Sequence, residues 1–339
     1  GLRAAKPLAH PDDGVVERLV EGLSAGSRAA VSEALNLVDD RRPEQRERAL
    51  DLLDRVSDLP GSATARRVGL TGPPGVGKST LLNALVAELR DRDQRIGIIA
   101  VDPSSRRSGG ALLGDRMRLA SSAREQGVFL RSMAARDRLG GLADATQAGT
   151  CVMSAVFDWV FVETVGVGQS ESEIAQLVDT LVFVAQPGAG DLLQFMKAGL
   201  LELPDIFVIN KADTGAGAER TRRELLAGLG LSDRAASTGW TPPVLLASAR
   251  DRQGTRALVE TIDAHREAIG ASGELARRRA AGAVAFAIES LVRRYGEYGL
   301  ERIGGVSAVE RRLSAPAAHS PFRVVLAIGH EIEAALGPR

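Results

Sequence analysis

Cysteine and lysine are nearly absent from this chain of 339 residues. The single cysteine, Cys151, cannot close an internal disulfide, and one thiol does not make a metal site. It reads as a small buried apolar side chain, and the scarcity of thiols fits a reducing, cytoplasmic compartment. The four histidines (His10, His265, His319 and His330) are scattered, which argues against a Cys/His cluster for a soft or borderline metal. No apolar run reaches the ~20 residues of a membrane-spanning helix, and residues 1–14 lack the apolar core of a signal segment. Net charge is lacking too: 43 basic residues balance 43 acidic ones, so neither bulk nucleic-acid binding nor membrane-surface binding is expected. Only four of the 43 basic residues are lysine: Lys6, Lys78, Lys197 and Lys211. A chain that uses arginine for ordinary solvated charge keeps lysine where a compact ammonium is needed. Lys78 and Lys211 both fall inside motifs.

What is present begins with helices. Apolar residues recur at Val15, Val16, Leu19, Val20 and Leu23, at Val31, Ala34, Leu35 and Val38, and at Leu50, Leu53 and Val56, which predicts helices across 13–58. From about residue 65 the pattern changes to short β-branched runs at 66–71, 95–101, 159–163, 180–185, 205–210 and 244–247. Helical segments separate them near 78–92, 111–126, 190–202, 219–229 and 254–269. This alternation predicts a mostly parallel α/β sheet covered on both faces. Beyond 271 the chain is helical again, with stripes at Val284, Ile288, Leu291 and Tyr295 and at Phe322, Val325, Ile328, Ile332 and Leu336, separated by a break at Gly304-Gly305. These stripes come after the sheet pattern ends and need another surface to cover them. The expected division is an N-terminal helical segment (1–62), a P-loop domain (63–270) and a C-terminal helical extension (271–339).

The most specific signal is Gly72-Pro73-Pro74-Gly75-Val76-Gly77-Lys78-Ser79, which matches G-x-x-x-x-G-K-[ST] between a predicted strand and a predicted helix beginning at Thr80. Glycines let the backbone curl so that its amides face one anion, and the helix N-terminus adds positive potential. Lys78 would reach the β- and γ-phosphate oxygens, and Ser79 would ligate Mg²⁺. Asp102 follows one strand, Asp115 lies in the next segment, and Glu163 ends another strand. Strand C-termini of a parallel sheet share one edge, so Asp102 and Glu163 are expected to converge near Ser79. Helix capping is the alternative role for the two aspartates. In Glu163-Thr164-Val165-Gly166 the Gly166 amide sits where a γ-phosphate sensor would, and Gln169 could orient water.

Asn210-Lys211-Ala212-Asp213 follows the strand 205–210. A carboxylate at Asp213 can accept two hydrogen bonds from the ring N–H and amino group of guanine, a pair adenine does not offer. Lys211 can lay its stem along the base, and Asn210 can either tie loops together or touch the base edge. Ser248 and Ala249, after a later strand, look like a final guanine-contacting loop. Together these favour GTP over ATP.

The strings VDPSSRRSGGALLGDR, ETVGVGQSE, QPGAGDLLQFMKAG and NKAD resemble the MeaB/ArgK-type G proteins, which are related to the human methylmalonic aciduria type A protein. The resemblance spans about residues 15–275. It implies a P-loop NTPase fold of the signal-recognition/MinD-like (SIMIBI) class. It also implies a slow, partner-stimulated GTPase that acts as a chaperone, gating adenosylcobalamin loading and protection of a B12-dependent acyl-CoA mutase such as methylmalonyl-CoA mutase. The cofactors implied are GTP/GDP and Mg²⁺, with no cobalamin held by this chain. Carried over by motif, the metal-site residues are Ser79, Asp102, Asp115 and Glu163. The residues expected to carry the chemistry are Lys78, Asp102, Asp115, Glu163, Gly166 and Lys197. Lys197 falls in the stretch 186–199, which resembles a third switch. The C-terminal helices would form a homodimerisation arm. Competing readings are a nickel-insertion or targeting GTPase of the same class, a P-loop small-molecule kinase or ATPase, and a scaffold that binds nucleotide only for stability.

Overall fold

The computed structural model of the chain describes residues 13–40, 42–103, 126–135, 144–164, 170–188, 202–229, 239–314 and 320–336. Among these, one sheet holds β1 (Arg66–Thr71), β2 (Ile96–Pro103), β3 (Val128–Ala135), β4 (Trp159–Thr164), β5 (Thr180–Ala185), β6 (Ile206–Ile209) and β7 (Val244–Leu246). The strand order is β3-β2-β4-β1-β5-β6-β7, and every pairing is parallel. The expected parallel α/β sheet is therefore present, with β1 at its centre.

The strands are buried on both faces, which is why they read as near-continuous apolar runs. In β4, Val160 and Val162 join one core cluster while Trp159 and Phe161 join another. The second cluster includes Leu81, Leu82 and Leu85 of α5 (Lys78–Arg90) and Leu258 and Ile262 of α9 (Thr255–Ala271). The first is shared with the N-terminal helices α1 (Asp13–Ser24), α2 (Arg28–Asp39) and α3 (Pro43–Ser57), through Leu19, Leu23, Val31, Leu35, Leu52 and Val56. A short α4 (Pro60–Thr64) leads into β1; α6 (Asp144–Ser154), α7 (Ser170–Leu177) and α8 (Ala216–Leu229) complete the covering of the sheet. Proline opens the first turn of both α3 and α4, where its missing N–H costs nothing.

One element was missed, and one open point is answered. The strand β3 was not anticipated, because Val128-Phe129-Leu130 runs into polar Arg131 and Ser132. It is one of the sheet's two edge strands, where Arg131 lies 3.9 Å from Asp39 of α2. The other surface that the C-terminal stripes need is supplied by the chain itself. Leu291 and Leu300 of α10 (Glu274–Glu301), Val309 of α11 (Gly305–Leu313) and Val324, Ile328 and Ile332 of α12 (Pro321–Leu336) bury one another. Val325 is only half-buried, and Leu336 is exposed. Gly296, with φ 70°, marks a kink inside α10.

The start of α10 is bound to the amino edge of the sheet. Arg278 pairs with Asp205 (3.0 Å) just before β6, and Arg279 pairs with Asp179 (2.7 Å) just before β5. Both aspartates are buried, and their carboxylates also cap the backbone, accepting from the amides of Leu181 and Arg67. Among the described residues, no helix is long and apolar enough to cross a membrane.

Candidate nucleotide site

Five strands deliver the site to the carboxyl edge, opposite the ion pairs of α10. β1 runs into the loop 72–77, which opens α5 at Lys78. Gly72 has φ 134°, and a Cβ there would overlap the Val184 carbonyl oxygen of β5; Gly77 has φ 92°, and a Cβ there would collide with the Asn210 amide. Both positions therefore require glycine. Pro73 and Pro74 have no N–H, so a phosphate cradle falls to the amides from Gly75 onward and to the unpaired first turn of α5.

Lys78 is buried. Its Nζ donates to the carbonyl oxygens of Gly72 (2.7 Å) and Pro73 (3.0 Å), folding back over the loop rather than reaching outward. Ser79 Oγ donates to Glu163 Oε1 at 2.6 Å. Glu163 is buried near the end of β4, in register with Leu70 of β1. A hydroxyl and a carboxylate in direct contact beside a helix N-terminus are hard oxygen donors of the kind Mg²⁺ takes, so the residues fit that ion. Asp102 lies in β2 one residue beyond Val101, the register partner of Thr164. The Asp102 side chain lies outside the described residues, as do Asp115, Gly166, Gln169 and Lys197 and the expected helical stretches 111–125 and 190–201.

The base loop follows β6 and is stitched to both neighbours. Asn210 N donates to Ala185 O (2.8 Å) and Ala212 N to Ala247 O (2.9 Å). Of the two roles left open for Asn210, its contacts are of the loop-tying kind. Its Nδ2 donates to Val76 O (2.9 Å), with a longer approach to Gly77 O (3.4 Å), and its Oδ1 accepts from Ala249 N (3.1 Å). It ties the P-loop, the base loop and the 248–249 loop together. Lys211, in the left-handed region at φ 61°, donates from Nζ to Gly75 O (2.8 Å) and Gln186 Oε1 (2.5 Å). Asp213 is exposed, and among the described residues no hydrogen bond engages its carboxylate. Ser248 is buried and bonded to Asp251 (3.1 Å). The residues expected to grip phosphate and those expected to read the base thus meet on one sheet edge.

The sequence matches the family described as methylmalonyl-CoA mutase-associated GTPase MeaB over residues 31–295. The chain belongs to the MeaB family. One relative, a protein of Pyrococcus abyssi named as a GTPase, is 45% identical over 267 residues, which cover 78% of this chain and 80% of that protein. The mouse protein named methylmalonic aciduria type A homolog, mitochondrial, is 37% identical over 283 residues, covering 80% of this chain and 68% of its own. A solved structure described as LAO/AO transport system kinase shares the fold with a TM-score of 0.66 at 28% identity, over 95% of this chain and 99% of that one. The MeaB match ends at the α10 kink, so α11 and α12 lie beyond it.

The Ser79–Glu163 contact is the approach expected of two strand ends on one sheet edge. One contact of this MeaB-family site was not expected: Gln186, at the start of the stretch 186–199, bonds Lys211, 25 residues away.

Proposed function

We propose that this chain binds GTP with Mg²⁺ and hydrolyses it slowly as the nucleotide-gated chaperone of an adenosylcobalamin-dependent acyl-CoA mutase, gating cofactor loading and protecting the mutase. The nucleotide half rests on one observation: a lysine-bearing glycine loop and an N-K-x-D loop are hydrogen-bonded to each other on the carboxyl edge of a parallel sheet. The mutase half rests on membership of a family described as mutase-associated.

In this reading the triphosphate enters the curl of 75–79, and its oxygens displace the Gly72 and Pro73 carbonyls from Lys78 Nζ. The buried ammonium then stabilises charge on the transferring phosphoryl group. Ser79 and Glu163 hold the metal ion, with Asp102 and Asp115 as further carboxylates; Mg²⁺ when bound neutralises charge on the β- and γ-phosphate oxygens. Asp213, exposed and uncommitted, selects guanine. Gly166 and Lys197 carry the nucleotide state to the partner. The C-terminal extension serves as a homodimer arm, for which Tyr298, Val306 and Leu336 are large apolar side chains left exposed.

The test is calorimetry with GDP, GTP and ATP, followed by phosphate release with and without methylmalonyl-CoA mutase. Guanine nucleotides should bind in preference to ATP, and the mutase should raise the turnover rate. Preference for ATP would move the reading to a P-loop kinase, and a rate indifferent to the mutase would remove the chaperone half.

A further inference from the structure

Gln186 is the first residue after β5, between the P-loop and the base loop, and belongs to neither motif. Its Oε1 accepts from Lys211 Nζ at 2.5 Å, and the same ammonium donates to Gly75 O at 2.8 Å. An ammonium has three donors and no acceptor, so the carboxamide has to present its oxygen. The backbone around Gln186 is anchored on both sides. Ala185 O accepts from Asn210 N (2.8 Å), and Gly188 N donates to Thr221 Oγ1 of α8 (3.4 Å). Gln186 is therefore a fixed post against which the end of a long, flexible and exposed side chain is held.

We infer that Gln186 is a positioning residue for purine binding: together with Gly75 O it pins the Lys211 ammonium to the P-loop, so that the aliphatic stem is set before the base arrives. The inference rests on the base-site reading above. A stem held in place in the free protein need not lose its rotamer freedom when the nucleotide binds. The stem offers an apolar edge to the flat ring and reads neither the exocyclic amino group of guanine nor the phosphates. The loss on removing the post must therefore be equal for GDP, GTP and IDP, which lacks that amino group.

The experiment measures affinity for GDP, GTP and IDP in Gln186→Leu, Gln186→Glu, Lys211→Met and the Gln186→Leu/Lys211→Met double variant. Gln186→Leu should weaken all three nucleotides by the same factor, about tenfold for one charge-assisted hydrogen bond. Gln186→Glu keeps an acceptor and should restore affinity. In the Lys211→Met background, Gln186→Leu should add nothing. Wild-type affinity in Gln186→Leu, a loss that persists without Lys211, or a changed ratio of GDP to IDP binding would each overturn the inference. Failure of the wild-type chain to bind GDP at all would instead overturn the nucleotide reading itself, so the two failures are distinguishable.

Discussion

Replacing Asn210 by alanine tests how the site is built before any ligand enters it. The side chain is buried and makes hydrogen bonds to Val76 O at 2.9 Å and from Ala249 N at 3.1 Å. Alanine leaves one buried acceptor and one buried donor without partners. Each costs about 1–2 kcal/mol, so the nucleotide-free protein should lose about 2–4 kcal/mol. In a chain of this size that lowers the melting temperature by about 5–10 °C. The assay is thermal or urea unfolding with no nucleotide present, followed by GDP titration of the folded variant. Asn210→Asp is the control of equal size: it keeps an acceptor for Ala249 N but turns an anionic oxygen towards Val76 O, and should be at least as damaging as alanine. A nucleotide-free Asn210→Ala protein that melts with the wild type while losing GDP affinity would refute the reasoning, because Asn210 would then act on the base and not on the loops.

Three further outcomes follow from contacts away from the site. Gly282→Ala should destabilise although it lies mid-helix in α10, where alanine ordinarily gains up to about 1 kcal/mol. The reason is that a Cβ there would overlap the Gln176 carbonyl oxygen of α7, and a neutral or stabilising result in a melt would show that the two helices can separate freely. Arg279→Leu should cost up to about 3–5 kcal/mol in urea unfolding, because it removes the closest charged partner of the buried Asp179 carboxylate and leaves it the Arg67 amide and the more distant Arg266, and Asp179→Asn in the same protein should recover part of the loss. A loss under about 1 kcal/mol would mean the pair is no tether. Tyr295 is pushed up to about 12 by burial and by its hydrogen bond to Glu333. A phenol that titrates higher when folded lends stability that is complete below the ordinary value of about 10 and is lost as pH rises through about 12. The chain has two tyrosines, so ultraviolet titration of Tyr298→Phe isolates this one, and an ordinary midpoint would contradict the packing of α10 on α12.

Where the sequence was informative, the information was local. The P-loop is legible because its glycines, lysine and hydroxyl are consecutive, and N-K-A-D because it follows an apolar strand. What escaped depends on partners distant in sequence. The edge strand β3 hides its character in Arg131 and Ser132, since a strand paired on one side only tolerates polar residues. The helical period of 284–295 and 322–336 announces a buried face without saying against what; the answer, that α10 and α12 meet each other with Val309 of α11 beside them while Phe322 packs into the core of the N-terminal helices, is a tertiary fact. Cys151 is only half-buried, although the thiol itself is pushed above its ordinary value by burial. The Asp179 and Asp205 ion pairs with Arg279 and Arg278 span 100 and 73 residues, and no spacing rule joins them.

The scarcity of lysine now has a structural account. A loop that curls its amides inward to face an anion must turn carbonyl oxygens outward, and these need donors of their own. Gly72 O and Pro73 O are met by Lys78, Gly75 O by Lys211, and Val76 O by Asn210. Each ammonium sits between two oxygen acceptors: two carbonyls for Lys78, one carbonyl and the Gln186 amide for Lys211. A guanidinium can also give two hydrogen bonds from one nitrogen, as Arg279 Nη1 does to Ser62 O and Ala63 O, but its donors lie in one plane at the end of a broader, longer head, whereas an ammonium is compact and directs its three donors tetrahedrally. Arginine can therefore replace lysine across the solvated surface of this chain but not at these two positions. Lys78→Arg and Lys211→Arg should both disturb the curl of the loop even though charge is conserved, and the disturbance should be larger at the buried Lys78 than at the exposed Lys211. Equal GDP affinity in Lys78→Arg and the wild type would show that charge alone, and not the shape of the ammonium, is what the loop requires.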